Sequence, residues 1–323
     1  MVKKSGKAVS KKPASKAVSK TKPRRVKSPE YKSLRLQKRI KHPVKLPSVW
    51  ALSKTAWRTL WSNKGLFAGI TLIYGLLNLV LAQSLSGSTD ITSLKVALDA
   101  LSSGHFAALG SGLSIFAVLV GSAGKSTSAT GGAYQLFLGL TASLAVIWAL
   151  RQAIAGTKVR VRDSYYRGMY PLIPFILVLL VVALQLIPAV IGSSLYALVV
   201  NNGIAVLFVE KFAWSLMYGL LTLLSLYMIS SSVFALYIST LPDMTPMKAL
   251  RSARALVRYR RWTVLRKIVC LPIILLVVGA VIMLPIIIWL TPLAQVIFFF
   301  LSMFALVAVH AYMYTLYREL LNE

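Results

Sequence analysis

The sequence predicts an all-α, polytopic membrane protein. Six transmembrane helices form three hairpins, with amphipathic interfacial helices and a disordered basic N-terminal arm. Three observations predict this fold. Of the 323 residues, 57% are hydrophobic and only 14% charged, whereas soluble domains run near about 45–50% apolar and about 25% charged. The apolar residues gather into runs of the roughly 20 residues that a helix needs to cross a bilayer. The 37 Lys and Arg, set against 8 Asp and Glu for a net charge of +29, avoid those runs. This composition excludes an ordinary soluble enzyme and a chain disordered throughout. One cysteine, Cys270, excludes a disulfide framework and a multi-Cys metal site. His42, His105 and His310 lie far apart in the chain, which argues against a His cluster.

The arm comes first. Residues 1–50 hold 17 Lys and Arg and one acid, Glu30. Lys7-Ala8-Val9-Ser10-Lys11 recurs as Lys16-Ala17-Val18-Ser19-Lys20. Such a Lys/Ser/Pro-rich stretch cannot bury enough apolar surface to offset its chain entropy, so residues 1–47 are expected to form a disordered cytoplasmic arm. No apolar core of a secretory signal and no A-x-A site is present in it.

The spans follow in order. Gly65–Leu85, Ala133–Leu150, Pro171–Gly192 and Trp214–Thr240 are uncharged, over 21, 18, 22 and 27 residues. Ile268–Leu290 and Leu293–Tyr317 lie back to back across Thr291-Pro292, where the proline predicts a tight hairpin rather than one long helix. Phe106–Gly121 and Leu195–Val209 are apolar but short. Were either to span, the cations of Arg151–Arg167 or of Lys248–Lys267 would change sides, against the positive-inside tendency. Both are therefore expected to be external or re-entrant. With six spans and both termini cytoplasmic, 34 of the 37 cations face the cytoplasm; only Lys95, Lys125 and Lys211 lie outside. The expected location is the inner cell membrane.

Each outward-going span follows a basic, aromatic-bearing segment. Before the first, Trp50, Trp57 and Trp61 fall within about 20° of one helical face at 100° per residue, beside Lys54, Arg58 and Lys64. That is the pattern of an interfacial anchor. Before the third comes Asp163–Tyr170. Before the fifth, Thr245 is a predicted N-cap with Pro246 at the first helical position. There Arg251, Arg254, Arg258 and Arg261 recur at spacings of 3, 4 and 3 as one basic stripe beside Leu250, Ala253 and Val257, and Trp262 follows as a further anchor. The chain divides into three units of interfacial helix plus hairpin, at about 48–157, 158–241 and 242–323.

Within Pro242–Ile268 the chain resembles a known family. Asp243-Met244-Thr245-Pro246-Met247-Lys248-Ala249-Leu250-Arg251-Ser252, followed by Arg260-Arg261-Trp262-Thr263-Val264-Leu265, is similar to an element of bacterial six-helix proteins. These are labelled as the membrane domain of glycerophosphoryl diester phosphodiesterase. The resemblance covers about residues 48–320 and excludes the arm. It implies a membrane domain rather than a hydrolase, because the separate phosphodiesterase domain of some members has no counterpart here.

Other motifs have plainer explanations. Gly121–Thr127 ends like a phosphate-binding loop, but its required first glycine falls on Leu119 and no βαβ strand precedes it. The expected spans carry no Asp, Glu, Lys or Arg. His310, near Tyr312, Tyr314 and Tyr317, reads as a hydrogen-bonded interfacial residue. Asn78, Gln135, Gln185 and Gln295 read as interhelical hydrogen-bonders. Pro188, Pro272 and Pro285 are expected to kink their helices.

No nucleophile–base pair, paired carboxylates or metal set is visible, so no enzymatic activity, cofactor or metal is expected. The expected function is that of a structural, scaffolding or lipid-related membrane protein. Arg251, Arg254, Arg258 and Arg261 would contact anionic headgroups, each cation contributing ~1 kcal/mol near such a surface. Two alternatives stand beside it: a transporter or permease component for an apolar or lipid-like substrate, and a membrane tether whose residues 1–47 bind nucleic acid nonspecifically and salt-sensitively.

Overall fold

A computed structural model describes residues 46–81, 129–242, 244–289 and 291–321. The arm up to residue 45, the Phe106–Gly121 segment, the Gly121–Thr127 loop and the cations Lys95 and Lys125 lie outside the described residues. Among the described residues the regular elements are all helical. They are α1 (Val49–Ser62), α2 (Lys64–Leu81), α3 (Ala129–Ile154), α4 (Val161–Gly168), α5 (Leu172–Tyr196), α6 (Phe208–Ile238), α7 (Pro246–Val257), α8 (Arg261–Trp289) and α9 (Thr291–Leu321). A π-helical turn, Ala197–Asn201, continues α5. Six helices, α2, α3, α5, α6, α8 and α9, are long and apolar enough to cross a membrane. The short helices α1, α4 and α7 each precede one of them.

Local chemistry sets the helix ends. Ser48 caps α1, its hydroxyl accepting from the Ala51 amide at 3.2 Å. Thr245 does the same for α7 through the Lys248 amide at 3.4 Å, with Pro246 at the first position, as its sequence predicts. The Glu210 carboxylate turns back to accept from the amides of Val206 and Leu207 at the start of α6. Gly156 and Gly203, at φ 76° and 73°, close α3 and the α5 extension. At each, the amide after the glycine reaches five residues back, Thr157 to Gln152 and Ile204 to Val199.

These ends correct the expected limits. The helices run past the uncharged cores into their charged flanks, so Arg151 lies in α3, Glu210 and Lys211 in α6, Arg266 and Lys267 in α8 and Arg318 in α9. A backbone helix does not stop where side chains turn polar, because its hydrogen bonds are equally good there. Leu195–Val209 is no separate span: it holds the end of α5, the π turn and the start of α6. Helix α8 ends at Trp289 and α9 begins at Thr291, so Thr291-Pro292 opens the last helix rather than lying between the two.

The long helices pair as antiparallel hairpins. In the first, Tyr74 of α2 meets Leu138 and Ala142 of α3. In the second, the Gln185 amide of α5 donates to Ser232 of α6 at 2.8 Å, and the Ala189 amide donates to Ser225 at 3.0 Å. In the third, Met283 and Ile287 of α8 pack on Ala294 and Phe298 of α9. Helix α9 is central, touching α1, α2, α3 and α8. The outer faces stay apolar: Leu180, Leu184 and Val190 of α5 and Ile273, Val277 and Val281 of α8 are exposed. A soluble monomer rarely leaves so continuous an apolar surface uncovered.

Helix α4 crosses α3 backbone against backbone at Gly168. A β-carbon added there would lie 3.0 Å from the Ala145 Cα and 3.1 Å from the Leu144 carbonyl oxygen. Gly132 of α3, by contrast, has open space around it. Gly168→Val is expected to cost about 1–3 kcal/mol by overpacking, read as a lower thermal midpoint in detergent. Gly132→Ala should leave that midpoint unchanged or raised. An unshifted Gly168→Val midpoint would contradict the close crossing.

Candidate functional site

The charged flanks of the helices meet at one end of the bundle. Lys267, at the start of α8, is buried and donates from its ammonium to the carbonyl of Pro47, just before α1. The Tyr312 hydroxyl of α9 donates to the Lys267 carbonyl at 3.1 Å. At the end of α3, the Arg151 guanidinium forks onto Thr240, one nitrogen 3.1 Å from its carbonyl and the other 2.6 Å from its hydroxyl. Tyr237 of α6 lies 3.0 Å from His310 Nδ1 and stacks on Tyr317 at 6.1 Å. His310 is thus hydrogen-bonded, to a tyrosine of α6 rather than to those of its own helix.

The short helices dock on this end by their apolar faces. In α1, Leu52, Ala56 and Leu60 are buried, and the helix packs mainly on α9. Trp50, Trp57 and Trp61 lie on the outward face, 77%, 54% and 62% exposed. Trp57 and Trp61 stack at 5.9 Å, and Lys64 stands over Trp61 at 5.7 Å. In α4 the Tyr165 hydroxyl donates to the Ile70 carbonyl of α2 at 3.2 Å. Burial, with Tyr74 nearby, pushes that hydroxyl up to about 12, so it remains a donor at neutral pH. On its outer side Arg162 covers the Tyr166 ring at 5.4 Å.

Helix α7 carries the predicted basic stripe, with one correction. Ala249, Leu250, Ala253 and Val257 are buried, and α7 packs mainly on α6, while Arg251, Arg254 and Arg258 are exposed. The helix stops at Val257 and Arg258 caps it, so Arg261 does not continue the stripe. It opens α8 instead, and its guanidinium bonds the Tyr227 hydroxyl at 3.0 Å with the ring centroid at 5.1 Å. The periodicity across Arg258–Arg261 spans a turn, not a helix. Trp262 is exposed, 6.5 Å from Tyr227.

Between the ends of α3 and α6, the last turn of α4 and the starts of α5 and α7 lies a cleft of about 830 Å³. Arg151 and Arg167 supply its charge, and Tyr166 and Tyr170 are strongly exposed beside it. Leu144, Trp148, Pro174 and Leu241 supply an apolar wall. Among the described residues that line it, none is acidic.

No family model, curated protein or solved structure matches the chain.

Several residues that build this end carry no motif. Arg151, Lys267 and Tyr237 are identified by partners 89, 220 and 73 residues away. In sequence, Arg151 and Lys267 count only as cations flanking apolar runs. The one available signal is position: each stands within a turn of where an uncharged run begins or ends.

Replacing Lys267 by Met would remove the donor to Pro47 and leave a carbonyl unpaired, at about 1–3 kcal/mol. The expected outcome is faster amide exchange over Val49–Ser62 and a lower thermal midpoint. Unchanged exchange in α1 would show that this contact does not hold the helix.

Proposed function

We propose that this chain is a non-enzymatic, multi-pass integral protein of the cell membrane, with both termini cytoplasmic. Its basic end contacts anionic lipid headgroups in a structural or lipid-related role. The observation that carries the proposal is the division of labour within α1 and α7. Their apolar faces are buried against α9 and α6, so tryptophans and arginines are what they present outward. A helix already anchored through its apolar side can offer its cations to a surface without first having to bind there. The resemblance of Asp243–Ser252 and Arg260–Leu265 to the membrane-domain family supports the membrane part of this reading.

The orientation rests on charge. The segments holding 34 of the 37 cations flank the same three ends of the hairpins. In a Cys270→Ser background, Lys211→Cys should react with an impermeant maleimide applied to whole cells and Arg160→Cys should not. The opposite pattern inverts the layout.

The lipid contact is tested on the full chain. Its excess retention of phosphatidylglycerol over phosphatidylcholine after extraction should fall stepwise as Arg251, Arg254 and Arg258 become Gln, by about 1 kcal/mol per charge at low salt. Equal retention of the two lipids by the wild-type protein at every salt concentration would sink the proposal.

A further inference from the structure

We infer that the cleft among α3, α4, α5, α6 and α7 is a specific site for one anionic glycerophospholipid. The phosphate sits between Arg151 and Arg167, and the glycerol with its first acyl carbons lies on the apolar wall. The inference rests on the proposed membrane setting of the six spans, but not on lipid contact by α7.

Three features of the cleft carry it. The first is charge without a counter-ion. Arg151 is half-buried, and the two acceptors that hold it, the carbonyl and hydroxyl of Thr240, are both neutral. They fix the guanidinium plane without neutralising it. Arg167 lines the same cleft from α4, and no described lining residue is acidic. A half-buried guanidinium sharing a cleft with a second, exposed one is completed by an anion, and a planar guanidinium matches a phosphate through two parallel N–H···O bonds.

The second feature is the wall. A free phosphate gains nothing from Leu144, Trp148, Pro174 and Leu241, whereas a lipid has glycerol and acyl carbons to lay against them. A volume of about 830 Å³ lies within the ~300–1,000 Å³ of small-molecule sites and leaves room for more than a phosphate. The third is placement. The cleft opens where apolar spans give way to charged flanks, and Tyr166 and Tyr170, 73% and 92% exposed, stand beside it. Tyrosines with an apolar ring and a polar tip settle at headgroup depth. Site and ligand therefore share one order: cation, aromatic, aliphatic.

Native mass spectrometry of the full chain in detergent tests this, with phosphatidylglycerol, phosphatidylcholine and glycerol 3-phosphate as probes. Phosphatidylglycerol should add as a single saturable adduct, at least tenfold tighter than phosphatidylcholine. Arg167→Gln, at an exposed position, should weaken that adduct tenfold or more without moving the thermal midpoint, and Arg167→Lys should recover part of the loss. The triple Arg251→Gln, Arg254→Gln, Arg258→Gln variant should keep the single adduct, even if the excess lipid retained by α7 disappears. Binding by Arg167→Gln within twofold of wild type overturns the site. Glycerol 3-phosphate binding as tightly as phosphatidylglycerol overturns the lipid and makes the ligand a soluble phosphate ester.

Discussion

A helix in hydrocarbon must satisfy its own backbone, and any polar group left over needs a partner from a neighbour. The rest of this structure follows from that constraint. Three hairpins return the chain to one end three times, so charge excluded from the apolar stretches collects there. Where the helical ladder is broken, the repair comes from the adjacent helix. Pro188 has no amide to donate within α5, and the next amide, that of Ala189, donates to Ser225 of α6. One turn earlier Gln185 ties to Ser232. These contacts fasten α5 to α6 beside Pro188, which gives Ser225 and Ser232 a packing role.

The same economy governs the short helices. Each is too short to be stable alone, since isolated helices below about 12–15 residues are marginal in water. Docking supplies what is missing. Helix α1 buries Leu52, Ala56 and Leu60, and α7 buries Ala249, Leu250, Ala253 and Val257. Helix α4, with 8 residues, has no room for such a stripe and instead approaches so closely at Gly168 that backbones touch. Polar ties complete the attachment, the Tyr165 hydroxyl on α2 and the Lys267 ammonium on the chain entering α1. What remains outward is the cationic and aromatic side, and it is outward because the other side is occupied.

Much of this was legible in the sequence. Runs of some twenty uncharged residues announced six long helices, and Thr291-Pro292 marked the start of the last one, because length and proline act locally. Thr245-Pro246 announced the start of α7 for the same reason, and the 100° periodicity of Leu250, Ala253 and Val257 located its buried face. The arginine stripe was legible only in part. Spacing by 3, 4 and 3 counts residues and is blind to the turn after Val257. The cleft was not legible at all. Its lining comes from α3, α4, the start of α5 and the segment joining α6 to α7, and each of its residues has an ordinary explanation alone: Arg151 as a flanking cation, Tyr166 and Tyr170 as aromatics near an apolar run, Gly168 as a small residue. Gly168 permits the close crossing of α4 over α3, and Arg167, its neighbour in the chain, lines the same cleft as Arg151.

The end of α6 decides how firmly that arrangement is held. Within four residues it contributes Tyr237, which joins His310 and the Tyr314–Tyr317 stack of α9, and Thr240, which receives both prongs of Arg151 from α3. Helices α3 and α9 are therefore both tied to the end of α6, and α7 follows as a separate helix after a short connection. The proposed site is built on this joint, and side chains already held by hydrogen bonds lose little further freedom on binding. Arg151 in particular is half-buried and held by two hydrogen bonds to Thr240. Its charge is presented at a fixed place beside a fixed apolar wall, which favours one ligand geometry over diffuse attraction. The arginines of α7 are the opposite case: they are exposed and without such a wall, and the proposed contact they make is with a surface of many headgroups rather than with one.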